Sequence, residues 1–450
     1  MELEPEREAK VAAALERFDA VELRDLLAEL VEIPSPTGDE RPIAEHLVAR
    51  LRAEGVEAHL QPIDDRQANA WARHRGRGGG ADLLLYAPTD THLSGDPDED
   101  VPWASRTPLP LLQPHARLHG TELAGLGAEN PKAYVACIAA TALCLHRAGI
   151  ELRGDVLVGF GAGGMPTNSR PGVGRANTGQ GTGVAFLLEQ GVRGDFAVIA
   201  KPGWAVSHEE VGLAWFRITV GGTFSYTGIR QFTPFRNAIA DAATVVQAIE
   251  AWLPAYAAER AVGTIEPQGA VGAIRGGWPF KPRFPPAACE VFVDIAVTPD
   301  EDPLDVKRAL AAVLAGVAEA NPGLDAELEL ILAIPGTRTD PDSWIVRSAV
   351  GAWEHIEGRP HRPYLRLSGA TDAEILRMWG LPTIRIGLPA QRREPDHWAG
   401  PDTMPMNVVD LARAPALIEL LVRVVVDTCD RPLAETRGPW RPPGAPLPSR

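Results

Sequence analysis

The sequence predicts an α/β protein: a doubly wound, mixed-sheet domain built from two chain segments, with a small α+β unit inserted between them. Three observations predict it. Short, mainly apolar runs at 81–86, 154–160 and 196–200 read as strands buried on both faces of a sheet. Helical spacing at 131–148 and 182–191 alternates with them, the order of a doubly wound fold. From about residue 211 the pattern changes to strand LAWFRITVGG, helix 237–253, strands GAVGAIRGG and ACEVFVDIAV, helix 303–320 and strand LDAELELILA. That βαββαβ order is one of a small sandwich with an antiparallel sheet.

The elements follow in order. Residues 6–30 carry apolar side chains at helical spacing (Val11, Leu15, Leu23, Leu26, Leu27, Leu30) and stop at the Pro-rich IPSPTGDE, where a turn precedes a second helix from Pro42 to Glu54. That helix closes on Gly55, and the strand VEAHLQPI follows. After Pro335 the α/β pattern resumes with helices 341–356 and 372–379, strand 383–387 and helix 408–427. The expected division is therefore 1–210 and 334–430 for the α/β domain, 211–333 for the insert, and 431–450 as a Pro-rich extended tail. A chain of 450 residues suits two compact units.

Composition narrows the function. With 59 acidic against 44 basic side chains the formal charge is −15, which argues against nucleic acid or an anionic membrane as partner. Cys137, Cys144, Cys289 and Cys429 form no C-x-x-C pair and mostly sit in apolar runs, so they read as buried free thiols. The charged opening MELEPEREAK lacks a signal-peptide core, and no apolar stretch reaches the roughly 20 residues of a membrane span. A cytoplasmic protein is expected.

Five motifs in order carry a family resemblance. LVEIPSPTGDE resembles an opening of the form L-V-x-I-P-S-x-S-G-x-E, and LLLYAPTDTHLSGD a strand ending in G-H-x-D-x-V. LAGLGAENPKAYVACIAA resembles G-R-G-x-x-D-x-K-G, with Lys132 on its lysine, and GVRGDFAVIAKP a strand ending in E-P. LSGATDAEILRMWGLPTIRIG resembles S-G-G-T-D followed by G-I-P. Together with the insert, these are similar to the zinc aminoacylase, acetylornithine deacetylase, succinyl-diaminopimelate desuccinylase and carboxypeptidase G family. The resemblance implies a catalytic domain, a lid through which members dimerise, and two zinc ions acting on an amide bond. It also implies a cis peptide at Asn130–Pro131.

The positions that would hold the metals are largely replaced. The first His falls on Pro88, although Asp90 is kept; the bridging Asp falls on Asn130; the acidic segment with the catalytic base becomes GAGGMPTN, with no carboxylate in 161–183; and the ligand Glu falls on Lys201. Only the last His has a counterpart, in His397, while the lid His falls on Tyr226. Zn²⁺ needs lone-pair donors, and an ammonium is none. The expectation is a site without zinc or other cofactor, in which Lys201 pairs with Asp90 and replaces part of the metal's field. In it Asn130 hydrogen-bonds substrate and Tyr226 donates to a developing oxyanion. Arg230, Arg236, Arg366 and Lys132 are candidates for binding a substrate carboxylate. A displaced zinc site built from Asp90, His92, Glu129 and His397, with Asp372 and Glu209 near, stays open.

The leading expectation is thus a metal-independent, homodimeric enzyme acting on an amide-like C–N bond of a small anionic substrate. A zinc hydrolase with moved ligands and an inactive binding protein are the rivals, since fold does not secure function. The dimer is expected through the insert, with strand LAWFRITV offering an edge.

Overall fold

The computed structural model describes residues 3–101, 103–167, 180–389, 397–400 and 405–437. The chain divides into two compact units, the first comprising Met1–His208, Thr339–Pro363 and Thr371–Arg450, the second Glu209–Arg338 and Tyr364–Ala370. The insert therefore ends after 333, and the segment 364–370, read from sequence as part of the α/β domain, belongs to the second unit. The rest of the Pro-rich tail lies outside the described residues, but Leu433–Thr436 is a short helix rather than extended chain.

The first unit is built on a six-stranded mixed sheet. Its strands run in the order Glu57–Pro62, Ala68–His74, Val156–Gly161, Leu83–Pro88, Phe196–Ala200, Thr383–Ile386. The three strands Val156–Gly161, Leu83–Pro88 and Phe196–Ala200 are buried along their whole length, as their apolar runs require, and pair in parallel. One face packs Leu83 and Leu85 into the large core with helices Tyr134–Arg147 and Ala414–Cys429. The other packs Leu84 and Tyr86 against Val184, Leu187, Ala373 and Leu376. The long helical pattern at the start is two helices, Pro5–Leu15 and Ala20–Glu32; Asp19 caps the second by accepting from the Val21 and Glu22 amides. Strand Ala68–His74, at 408 a strand (Val408–Asp410) instead of a helix start, and the small sheet it forms with Glu122–Ala124 and Arg117–His119 were not foreseen.

The second unit carries a four-stranded antiparallel sheet in the order Gly269–Gly276, Ala288–Val297, Gly212–Gly221, Ala326–Ile334, with helices Ala238–Arg260 and Pro303–Ala320 packed into its core. The expected edge is corrected: LAWFRITV pairs on both sides, with 288–297 and 326–334, and the free edges belong to Gly269–Gly276 and Ala326–Ile334. Among the described residues no helix is long and apolar enough to cross a membrane.

Candidate functional site

In a doubly wound sheet the residues that leave the carboxyl ends of the central strands converge. Here Asp90 leaves Leu83–Pro88, the segment 162–165 leaves Val156–Gly161, and Lys201 leaves Phe196–Ala200. The IPSPTGDE turn joins them. Ser35 Oγ donates to the Thr89 carbonyl at 2.8 Å, and the Thr91 amide donates to the Ser35 carbonyl.

Asp90 is fully buried and saturated with donors. Its Oδ1 accepts from the Gly164 amide at 2.8 Å, and its Oδ2 from the Met165 amide at 2.8 Å and the Thr37 hydroxyl at 2.6 Å. A second buried carboxylate, Glu40, extends the arrangement. It accepts from the Gly38 amide at 2.9 Å and the Gly163 amide at 2.8 Å through Oε1, and from Gln67 Nε2 at 3.2 Å through Oε2. Three successive amides, those of Gly163, Gly164 and Met165, are thus gripped by two carboxylates. Burial, and then the negative charge of Asp90, push the Glu40 carboxyl up to about 7. Sequence reasoning missed Glu40, whose only signal was its place at the end of TGDE.

The backbone lies close here for a steric reason. A Cβ on Gly164 would stand 2.2 Å from Pro88 Cβ and 3.0 Å from Asp90 Oδ1, so only glycine lets the segment rest on the proline. The segment occupies the volume beside Pro88 and Asp90 with main chain.

Lys201 is buried at its strand tip, and its Nζ donates to Asn130 Oδ1 at 3.1 Å. This corrects the expected Lys201–Asp90 pair, because the amides of Gly164 and Met165 with Thr37 take the Asp90 oxygens. Asn130 sits in the turn Ala128–Ala133, its amide donating to the Met406 carbonyl at 3.1 Å, and the Asn130–Pro131 bond is cis. The Asn407 side chain steadies the same turn by accepting from the Gly127 amide.

The other candidates disperse. His397 holds its Nε2 3.1 Å from both Glu122 oxygens, and Trp398 Nε1 also donates to that carboxylate. Lys132 is corrected: it is fully buried and donates to the Ile33 carbonyl at 2.8 Å, tying two backbone segments together with no face toward a substrate. Burial pushes its ammonium down to about 7. Arg236 is paired with Asp241 and the Pro322 carbonyl, and Arg366, at a φ of 63°, with Glu266. Both lie in the second unit, as do Arg230, stacked over Phe235, and Tyr226, packed on Phe284 under the Arg283 guanidinium.

The displaced zinc site does not assemble either. Glu129 accepts from Tyr134 at 3.1 Å, Asp372 from Tyr86 at 2.6 Å, and Glu209 from Thr264 in the second unit, while His92 is a half-buried residue of the turn after Asp90. Among the described residues no three His, Cys, Asp or Glu side chains stand where they could hold a metal ion. The groups at the resembled metal positions, a proline ring, an amide, an ammonium and a carboxylate already holding three donors, do not fit a pair of dications.

This fold is that of M20 peptidases, an α/β domain with a mixed sheet and an inserted α+β unit. A dinuclear metal-binding M20 peptidase from Bacillus subtilis superimposes with a TM-score of 0.59 at 16% identity, covering 93% of this chain and 99% of its own. Human carnosine dipeptidase 1 gives 0.65 at 13% identity, with 94% and 98% covered. An amidase of the hydantoinase/carbamoylase family from Burkholderia multivorans gives 0.58 at 17% identity, with 93% and 99% covered. At these identities the likeness is one of fold. No family model matches the sequence.

Proposed function

We propose that this chain is a hydrolase of amide-type C–N bonds in small, carboxylate-bearing substrates, running on the M20 scaffold without its metal pair. The observation that carries the reading is the buried Lys201 ammonium at the tip of a central strand, 3.1 Å from Asn130 Oδ1. A buried cation at this point stabilises the negative charge that develops on a substrate carbonyl oxygen as water adds. Solved neighbours of the fold include peptidases and an amidase, which supports amide hydrolysis as the reaction class. A cytoplasmic homodimer associating through the second unit completes the proposal.

The test is turnover of N-acyl amino acids and dipeptides by protein dialysed against chelator, with metal content measured in the same sample. Turnover that survives chelation and is lost in Lys201→Ala, by about 10²–10³-fold if Lys201 acts as an oxyanion donor, supports the proposal. Turnover that chelation abolishes and zinc restores overturns it. One observation favours a second reading, a binding protein without catalysis: the Asp90 carboxylate, already holding three donors, is not free to act as a base. Carboxylate-bearing amides would then bind, sensitively to Lys201→Ala, and be recovered intact.

A further inference from the structure

A chain with a formal charge of −15 concentrates cations and aromatic rings in one place. In the second unit the segments 222–237 and 277–287 hold Arg230, Arg236, Lys281 and Arg283, seven aromatic residues and no acidic one. They are neighbours: the Thr227 amide donates to the Arg283 carbonyl at 3.0 Å, the Gly222 amide to the Ala287 carbonyl at 2.8 Å, and the Phe224 and Phe284 rings stack at 6.1 Å. Their tips are bare. Phe280 is 85% exposed, Phe232 78% and Trp278 57%.

Three of the four cations remain available. Arg236 is bound by Asp241, but Arg230, Lys281 and Arg283 lie over the rings of Phe235, Trp278 and Tyr226 at 5.1, 5.2 and 5.0 Å, and among the described residues no carboxylate is paired with them. Stacking on ring faces holds the cations at exposed positions. Four prolines in WPFKPRFPP restrict the backbone, so little ordering entropy opposes binding. Isolated exposed apolar residues need no explanation, but a contiguous patch of aromatics and cations marks an interaction surface. Trp, Tyr and Arg are also the residues that dominate binding energy in protein interfaces.

We infer that this face docks an acidic polypeptide segment carrying apolar side chains. Charge complementarity selects the occupant. A twofold copy of the same face would bring like charges together. An extended anionic surface, membrane or nucleic acid, would meet the acidic remainder of the chain as well as the patch. A discrete acidic segment meets the patch alone, within the ~8 Å over which charge acts at physiological salt.

The probe is a fluorescein-labelled peptide of about 16 residues alternating Glu with Leu and Phe, titrated with the full chain and read by anisotropy. Its partner probe has Lys in place of Glu. The Glu peptide binds, salt weakens it, and the variant Lys281→Gln/Arg283→Gln/Phe280→Ser weakens it by at least about tenfold, as loss of an aromatic anchor and two charges should. Circular dichroism and the unfolding midpoint of that variant check that it folds; if it does not, Lys281→Gln alone and the salt titration of the wild-type chain decide. Equal binding of both peptides, or binding that the variant leaves unchanged, overturns the inference. So does patch-dependent binding of polyuridylate, of phosphatidylglycerol/phosphatidylcholine vesicles or of a second copy in light scattering when the Glu peptide does not bind.

Discussion

Replacing Glu40 by Gln should stabilise the protein at neutral and alkaline pH and leave it nearly unchanged in acid. The Glu40 carboxyl is buried beside Asp90, and its pKa rises from 4.5 to about 7. The native state therefore holds a proton that the unfolded chain releases between those values. Its contribution is complete below pH 4.5, declines as pH rises, and is lost above about 7. At about 1.4 kcal/mol per unit the loss comes to about 3 kcal/mol. Glutamine reproduces the protonated form. Its carbonyl can keep the Gly38 and Gly163 amides, and its amide group can donate to the Gln67 Oε1, a buried acceptor with no partner, once the Gln67 amide turns over.

The assay is urea unfolding of wild type and Glu40→Gln, followed by tryptophan fluorescence at intervals from pH 4.5 to 8.5. Titrating groups remote from Glu40 are common to both proteins and cancel in the difference. The variant's advantage should grow by about 3 kcal/mol between pH 4.5 and 7 and then level off. Parallel curves would show that Glu40 titrates in the native protein as it does in the unfolded chain, and the account of two carboxylates sharing one buried corner would fall.

Two further outcomes follow from the same geometry. Lys132→Met should stabilise at pH 6 and lose that advantage by pH 10, because a buried ammonium lowered from 10.5 to about 7 penalises the native state increasingly as pH falls through that window; the span is about 5 kcal/mol, less what the Ile33 hydrogen bond supplied, measured by the same denaturation. Gly164→Ala should cost about 1–3 kcal/mol in thermal or urea unfolding, since its Cβ would overlap Pro88, and an unchanged midpoint would mean the segment does not rest on the proline.

How far the sequence revealed this molecule depends on where the physics is written. The strands Leu83–Pro88, Val156–Gly161 and Phe196–Ala200 were legible because a strand buried on both faces must be apolar throughout. Ala68–His74 was not, since its buried positions are filled by Ala68, Asn69, Ala70 and Ala72, which carry no strand signature. Val408–Asp410 was absorbed into the helix behind it because its partners, Glu122–Ala124, lie far away in the chain. The site divides in the same way. The residues at the resembled metal positions could be read letter by letter. The true partners of Asp90 could not, because two of them are backbone amides, and Lys132, placed by its motif, turned out to be pinned within the core.

The replacements at the site agree with one another electrostatically, and that agreement makes a last prediction. A carboxylate-lined cleft stripped of two dications would keep several buried negative charges, each costing several kcal/mol. Here Asn130 is neutral, 161–183 has no carboxylate and Lys201 is cationic. The two acids buried here are met by four backbone amides, the Gln67 amide, a hydroxyl and, for Glu40, a proton. Lys201→Glu would remove the cation and add another anion beside Asn130 Oδ1, where two acceptors repel. Loss of a hydrogen bond to a charged group costs about 1.5–3 kcal/mol, so the variant should unfold at clearly lower urea than wild type. Zinc should not restore it, because Pro88 and Asn130 still offer no anionic donor on either side. Calorimetry of zinc binding alongside the unfolding curves separates the cases. A variant that recovers its midpoint on binding one or two equivalents of zinc would show that a metal cradle persists beneath the substitutions, and that Lys201 alone keeps it empty.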